Sequence, residues 1–69
     1  MREFILTFDI PRDLVSVRKK VHRDLIGIGA ERMQHSFWKT EKLDSLIGIA
    51  IFIKKSGGDA RILEERFVF

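Results

Sequence analysis

The sequence predicts an α+β sandwich, in which two helices cover one face of a single antiparallel sheet. Three observations support this fold class: a dense apolar run opens the chain, two later segments have helical periodicity, and strand-like residues follow each of them. Because 69 residues suffice for one small domain, residues 1–69 are interpreted as a single unit. A chain without cysteine has neither disulfide bonds nor thiolate metal sites, so we expect oligomerisation to bury more of its surface.

The first predicted strand covers residues 2–9. Its run from Phe4 to Phe8 has the apolar density of a central strand that is buried on both faces. Pro11 ends the strand, because proline lacks the N–H that a sheet ladder needs and is tolerated at the start of a helix. Asp9 is therefore expected at the turn from strand to helix.

The first predicted helix covers residues 12–28. Its apolar positions recur every three or four residues, at Leu14, Val17, Val21, Leu25 and Ile28. Arg18 lies about 40° from the axis of this stripe and is expected to reach the edge of the sheet. Gly27 and Gly29 supply the C-terminal stop.

The middle of the chain contains a strand-like segment and a second helix. Apolar side chains do not alternate regularly over residues 30–38, which predicts a bulge or a division into two short strands. Thr40 is a suitable cap for a helix over residues 41–55. The predicted buried stripe of that helix is Leu43, Leu46, Ile47, Ala50 and Ile51. The run 46–53 is also compatible with a buried strand, and periodicity does not decide between the two.

A turn over residues 56–58 precedes the last predicted strand, residues 59–69. One face of this strand is expected to carry Leu63, Glu65, Phe67 and Phe69. The resulting order, β-α-β(β)-α-β, is that of a ferredoxin-like sandwich with both helices on one face. A second copy of the chain is expected to cover the open face of the sheet.

The charge pattern favours an anionic partner, and the short apolar stretches predict no membrane-spanning segment. Thirteen lysines and arginines against ten acidic residues give a net charge of +3. The excess lies in one segment, at Arg12, Arg18, Lys19, Lys20 and Arg23. The longest apolar stretch, residues 46–53, is far shorter than the roughly 20 residues of a membrane-spanning helix. The chain opens on a strand-like run, so we expect no signal peptide and a cytoplasmic location.

Asp9 is the leading candidate for chemistry, since the common catalytic motifs and phosphate-binding loops are absent from the sequence. The favoured interpretation is that Asp9 caps the first helix, and the alternative is catalysis. A two-fold dimer would bring two copies of Asp9 together and so offer a divalent cation two carboxylates. His22 and His35 are far apart in the sequence, and a surface or core-edge position is favoured for each.

Residues 32–38 combine a cation, hydrogen-bonding side chains and aromatic rings. Arg32 is suited to a phosphate, and Trp38 or Phe37 is suited to stacking on a base. The commoner role of such aromatic residues is packing in the core or an interface, and that alternative stays open here.

Two segments of the chain form a distinctive pair. Phe8-Asp9-Ile10 closes the first strand, a basic helix follows, and the segment Gly29-Ala30-Glu31-Arg32-Met33-Gln34-His35-Ser36-Phe37-Trp38 comes next. Together they resemble the CRISPR-associated Cas-two family. Its members typically show an aromatic-Asp-Ile or Val motif, a basic helix and Gly-x-x-Arg-hydrophobic-Gln-x-Ser-hydrophobic-aromatic. The virulence-associated D ribonucleases are more distantly similar.

The resemblance implies a ferredoxin-like fold, a symmetric homodimer and one of two functions. The first is a Mg²⁺-dependent endonuclease that acts on RNA or double-stranded DNA in CRISPR adaptation or defence. The alternative is a non-catalytic, nucleic-acid-binding scaffold that partners an integrase. By position, Asp9 is implied to hold Mg²⁺ and act in catalysis, with Arg18, Arg32, Ser36 and Trp38 in the same catalytic cleft.

The predicted nucleic-acid-binding residues are Arg12, Arg18, Lys19, Lys20, Arg23 and Arg32. A third interpretation, from the residues alone, is a protein-interaction dimer with no nucleic-acid role. Binding that does not weaken as the salt concentration rises would favour it, because phosphate contacts release counterions.

Overall fold

The fold is built on one antiparallel sheet. The computed structural model describes residues 2–65, in which the elements are β1 (Phe4–Asp9), α1 (Val15–Gly27), β2 (Glu31–Gln34), β3 (Phe37–Thr40), α2 (Leu43–Lys55) and β4 (Asp59–Glu64). The strands lie in the order β2-β3-β1-β4, and every neighbouring pair is antiparallel. This arrangement confirms the predicted ferredoxin-like α+β fold class.

Alternation along β1 gives the sheet a covered face and an open face. Leu6 is fully buried and pairs with Trp38 of β3, which is also buried. Both helices contribute side chains to the single core on this face. The preceding residue, Ile5, points to the other face and pairs with Leu63 of β4, whose side chain is 51% exposed.

Helix α1 buries the stripe that its periodicity predicts. Val21 and Leu25 are buried, and the other members, Leu14, Val17 and Ile28, pack against the same core. The helix begins at Val15, later than predicted, because a turn closed by the Leu14 N–H and the Pro11 carbonyl (3.0 Å) precedes it. It ends at Gly27, and Gly29 has the positive φ (77°) of a C-terminal stop.

Residues 46–53 are helical, which answers the question that periodicity left open. The buried residues of α2 are Leu46, Ile49, Ala50 and Ile53. The prediction that Ile47 and Ile51 are buried is wrong, since they are 42% and 48% exposed. Isoleucines at both sets of positions have helical spacing, so the pattern did not select the buried side.

The start of α2 also differs from the prediction. The helix begins at Leu43, and its N-cap residue is Lys42. Thr40 is therefore not the cap, although its hydroxyl accepts a hydrogen bond from the Lys42 N–H at 3.2 Å. The hydroxyl thus stabilises the turn that leads into the helix.

The segment 30–38 is divided between two short strands, β2 and β3, as its irregular alternation predicts. The pairing of β2 with β3 shifts register between Arg32 and Gln34, and only His35 and Ser36 connect the two strands. The last strand is described as far as Glu64, and the predicted positions of Phe67 and Phe69 lie outside the described residues. Within residues 2–65, neither helix has the length and apolar character needed to cross a membrane.

Candidate functional site

A cleft of about 580 Å³ lies at the end of the sheet where β1 leads into α1. The end of β1, the loop before α1, one side of α1 and the turn between β2 and β3 line it. Six residues singled out in the sequence are among its lining, namely Asp9, Arg12, Arg18, Arg32, Ser36 and Trp38. The Phe8 N–H donates to the Ser36 carbonyl at 3.2 Å and so ties the turn to β1.

Asp9 is the last residue of β1, and it is exposed. The favoured interpretation of Asp9 as a helix cap is wrong, because the N-cap residue of α1 is Leu14 and no side chain caps the helix. The Asp9 carboxylate has no hydrogen bond or ion pair with any other residue of the described range 2–65. It is therefore available to a ligand.

Asp59 is a second carboxylate that the sequence reasoning missed. It opens β4 and pairs directly with Asp9, and both residues line a small hollow of about 210 Å³ at the end of the open face. The Cβ atoms of such cross-strand pairs are typically about 4.5–5.5 Å apart. Antiparallel pairing of the first and last strands was the available signal, because it sets the end of β1 beside the start of β4.

Arg18 bridges α1 and the loop that precedes it. Its Nη2 donates to the carbonyl oxygens of Ile10 and Pro11 at 3.4 and 3.3 Å. These contacts hold the guanidinium against the loop that leaves β1. Because β1 is a central strand, they place Arg18 at the end of the sheet, whereas the expectation was its edge. Its remaining donors are available to an anion, because a guanidinium carries five N–H groups.

Arg32 and His35 form a pair on the opposite wall of the cleft. The Nη2 of Arg32 lies 2.7 Å from Nδ1 of His35. A guanidinium has no acceptor, so Arg32 donates and His35 accepts. In the neutral imidazole the ring proton is then on Nε2.

Trp38 is only 3% exposed, so it is a core residue that borders the cleft and does not present a free ring face for stacking. The His22 ring meets it edge-on, with centroids 5.4 Å apart and an interplanar angle of 85°. The Nε1–H of the Trp38 indole donates to the His35 carbonyl oxygen at 3.4 Å. The alternative that assigned Trp38 to the core is the one that the structure supports.

The charge of the cleft is positive. Three guanidinium groups, those of Arg12, Arg18 and Arg32, line it together with one carboxylate, that of Asp9. Such an excess attracts anions, and arginine forks match the oxygens of a phosphate.

The other predicted cations lie outside the cleft. Lys19 and Arg23 are on the outer side of α1, beside Ile26. Lys20 is paired with Asp24 at 2.8 Å and lies 5.0 Å from the centre of the Phe52 ring. The basic segment of the sequence is therefore divided between the cleft and two other surfaces.

His22 and His35 are the two cleft residues that the sequence reasoning assigned to a surface role. Both are exposed, and both line the cleft. His22 lies four residues after Arg18, on the same side of α1, and this spacing was the available signal. His35 lies beside Ser36 in a turn whose position depended on the division of residues 30–38 into two strands.

Metal donors are few in the described part of the chain. Residues 2–65 contain no group of three or more histidine, aspartate or glutamate side chains that are close enough to hold one ion. Two carboxylates are nevertheless a sufficient protein contribution for Mg²⁺, which keeps several waters and takes other ligands from a substrate phosphate. Asp9 and Asp59 fit that requirement within one chain.

Comparison with protein-family models finds no family that matches this chain, and comparison with curated proteins finds no relative. The resemblance to the Cas-two family therefore stays a prediction. It rests on Phe8-Asp9-Ile10 and on residues 29–38, and these two segments meet at the cleft.

Proposed function

We propose that this protein binds nucleic acid in the arginine-lined cleft and cleaves its phosphodiester backbone with Mg²⁺ held at Asp9. RNA and double-stranded DNA are the substrate classes, and the cytoplasm is the expected location. The observation that carries the proposal is that one cleft gathers three guanidinium groups and the Asp9 carboxylate, which has no hydrogen bond or ion pair with another residue of the range 2–65. This combination suits a polyanion whose scissile phosphate is close to a cation.

Each residue of the cleft has a separate task in this proposal. Arg18 and Arg32 bind the phosphate oxygens, and their contacts with Ile10, Pro11 and His35 fix the guanidinium planes before the ligand arrives. Mg²⁺ bound at Asp9 would supply Lewis-acid stabilisation of the charge on the scissile phosphate.

We further propose that the enzyme is a homodimer joined through the open face of the sheet. Asp9 and Asp59 lie at the end of that face, beside Thr7 and Arg61. Two copies joined there would bring further carboxylates towards the two-fold axis, since the same surface of each copy meets the other. The dimer would thus complete the ligand set of the cation.

The second candidate is a non-catalytic dimer that grips nucleic acid and partners an integrase. The excess of three guanidinium groups over one carboxylate favours it, because this excess serves binding whether or not cleavage follows. In this case Asp9 is dispensable for binding.

Four proteins test the proposal: the wild type, Asp9→Asn, Arg32→Gln and the control Lys42→Gln. Lys42 is the exposed N-cap residue of α2, near the end of β3 that pairs with Phe4 and therefore away from the cleft. Each is incubated with labelled single-stranded RNA and duplex DNA in Mg²⁺ or in chelator. Asp9→Asn is expected to abolish Mg²⁺-dependent cleavage and to retain binding, whereas Lys42→Gln retains both.

Arg32→Gln separates binding from cleavage in the same experiment. It is expected to weaken binding and to lower the slope of log affinity against log salt by about 1, because one phosphate contact is lost. Failure of the folded wild type to cleave either substrate in Mg²⁺ would reject the enzyme and leave the scaffold. Binding that is insensitive to salt would reject both and favour a protein-interaction dimer.

A further inference from the structure

The cleft holds two imidazole rings that the proposed metal site does not use. The ring of His22 packs edge-on against Trp38, at 5.4 Å between centroids. The backbone of His35 accepts a hydrogen bond from the same indole at 3.4 Å. The buried Trp38 therefore contacts the ring of His22 on α1 and the backbone of His35 in the β2–β3 turn, and both histidines line the same cleft.

The two rings differ in what they offer to a ligand. Arg32 occupies Nδ1 of His35 at 2.7 Å, so the neutral His35 presents its Nε2–H as a hydrogen-bond donor. The ring nitrogens of His22 have no hydrogen-bond partner within residues 2–65. A neutral His22 therefore keeps a nitrogen lone pair that can accept a proton.

We propose that this cleft also cleaves RNA without a metal ion, by attack of the ribose 2′-hydroxyl on the adjacent phosphate. His22 is the general base, and His35 donates a hydrogen bond to the phosphate. Arginine side chains beside them counter the negative charge that grows on the phosphate oxygens. The substrate class is single-stranded RNA, because the nucleophile belongs to the ribose and a flexible strand can bring it in line with the phosphate.

The step balances without any co-reactant except water. His22 takes the proton of the 2′-hydroxyl, the 2′-oxygen bonds to phosphorus, and the bond from phosphorus to the 5′-oxygen breaks. The leaving 5′-oxygen takes a proton from water, and the resulting hydroxide recovers the proton from the His22 imidazolium. The products are a 2′,3′-cyclic phosphate and a 5′-hydroxyl end.

This activity does not depend on the proposed metal site. Mg²⁺ takes no part in it, so it persists in chelator. DNA is not a substrate for it, because deoxyribose lacks the 2′-hydroxyl. The proposed Mg²⁺-dependent cleavage requires the metal ion and does not require a 2′-hydroxyl. Either activity can therefore be present without the other.

The test uses a labelled DNA strand that contains a single ribonucleotide, incubated with the wild-type protein in chelator. A matched all-deoxy strand and a strand with a 2′-O-methyl group at the same position are the substrate controls. His22→Phe keeps an aromatic ring against Trp38, and His35→Asn keeps a side-chain acceptor for Arg32. Lys42→Gln is the control for a substitution outside the cleft, and His22→Phe, purified in parallel, controls for contaminating ribonuclease. Circular dichroism checks the fold of each variant.

We expect cleavage only at the ribonucleotide, with a 2′,3′-cyclic phosphate end. His22→Phe is expected to lower the rate by about 10²–10⁴-fold, the usual contribution of a general base. His35→Asn also lowers it, and Lys42→Gln leaves it unchanged. No cleavage by the folded wild type, cleavage of the 2′-O-methyl strand, or equal rates in His22→Phe and the wild type would overturn the proposal.

Discussion

Asp9 and Asp59 are directly opposite each other in the pairing of β1 with β4. Like charges at such positions repel, and the Asp59 carboxylate is held in place because its Oδ1 accepts a hydrogen bond from the Ala60 N–H at 3.0 Å. An Asp–Asp pair at a strand end destabilises the sheet unless a cation lies between the side chains. The stability of the sheet would therefore depend on whether a cation is bound between these two carboxylates.

In chelator, Asp59→Asn is expected to raise the free energy of unfolding by roughly 0.2–1 kcal/mol, because one of two opposed charges is removed while the amide oxygen keeps the bond to Ala60. Mg²⁺ is expected to stabilise the wild type and to stabilise Asp59→Asn less. Urea unfolding followed by circular dichroism measures both effects. Asp13→Asn, a change in the exposed loop before α1, is the control. A fall in stability of Asp59→Asn in chelator would contradict the repulsion.

Single residues show where sequence reasoning succeeds and where it stops. The residues alone placed Asp9 at the end of a strand and Arg18 on the flank of a helix, whereas the resemblance to the Cas-two family implied that both share a site with Arg32. The role of His35 needed the two-residue turn, and the role of Asp59 needed the pairing of the first strand with the last. Neither fact is present in local periodicity, because strand pairing joins residues that are distant in the chain.

At the scale of elements, the two glycines Gly48 and Gly58 have opposite roles. Gly48 lies inside α2, where a Cβ atom would meet nothing within 4 Å, and it borders a groove of about 630 Å³ between the helices. At Gly58 a Cβ atom would lie 2.7 Å from the Asp9 carbonyl oxygen and 2.8 Å from Cγ2 of Ile53. The second glycine is therefore required by the close approach of α2, β1 and the turn before β4.

Gly48→Ala is expected to raise the free energy of unfolding by about 1 kcal/mol, because alanine restricts the unfolded chain and fits the helix. Gly58→Ala is expected to lower it by about 1–3 kcal/mol, because β1 or Ile53 must move. Urea unfolding of both variants gives the comparison. Loss of stability in Gly48→Ala would contradict the expected gain.

The helices show a limit of pattern analysis at this scale. α1 has one apolar stripe, so its buried side was predicted. α2 has isoleucines at 47, 49, 51 and 53, so its helical character and its buried side both depended on contacts with the sheet. Packing against Leu6 and its neighbours in the core selects Ile49 and Ile53 and leaves Ile47 and Ile51 exposed.

At the scale of the whole molecule, the open face of the sheet is the surface on which the proposed dimer depends. It carries the half-exposed Leu63 and a charged centre at Lys39, which lies 3.7 Å from Glu3 and 3.5 Å from Glu65. Burial lowers the pKa of Lys39, but the carboxylates of Glu3, Glu65 and Glu31 outweigh it, and the net direction is upward from 10.5. The lysine is thus charged and already paired, so a second copy that covered it would not bury an isolated charge.

If two copies join through this face, Leu63→Glu is expected to give a monomer, because it places a carboxylate in the interface. Ile47→Glu is the matched control, since Ile47 is 42% exposed on α2 and Leu63 is 51% exposed on the sheet. Sedimentation velocity of the wild type and both variants measures the mass. A monomeric wild type, or a dimer that persists in Leu63→Glu, would reject this interface.

The turn between β2 and β3 has a consequence for the balance between local stability and chemistry. Two-residue hairpin turns favour residues with positive φ, typically Asn-Gly, but His35 and Ser36 both have negative φ. The extra residue at the bulge, Met33, absorbs the resulting mismatch of strand twist. Both turn positions line the cleft, so an Asn-Gly replacement that stabilised the hairpin would remove the imidazole and the hydroxyl at once. Stability and the proposed chemistry therefore compete for the same two residues.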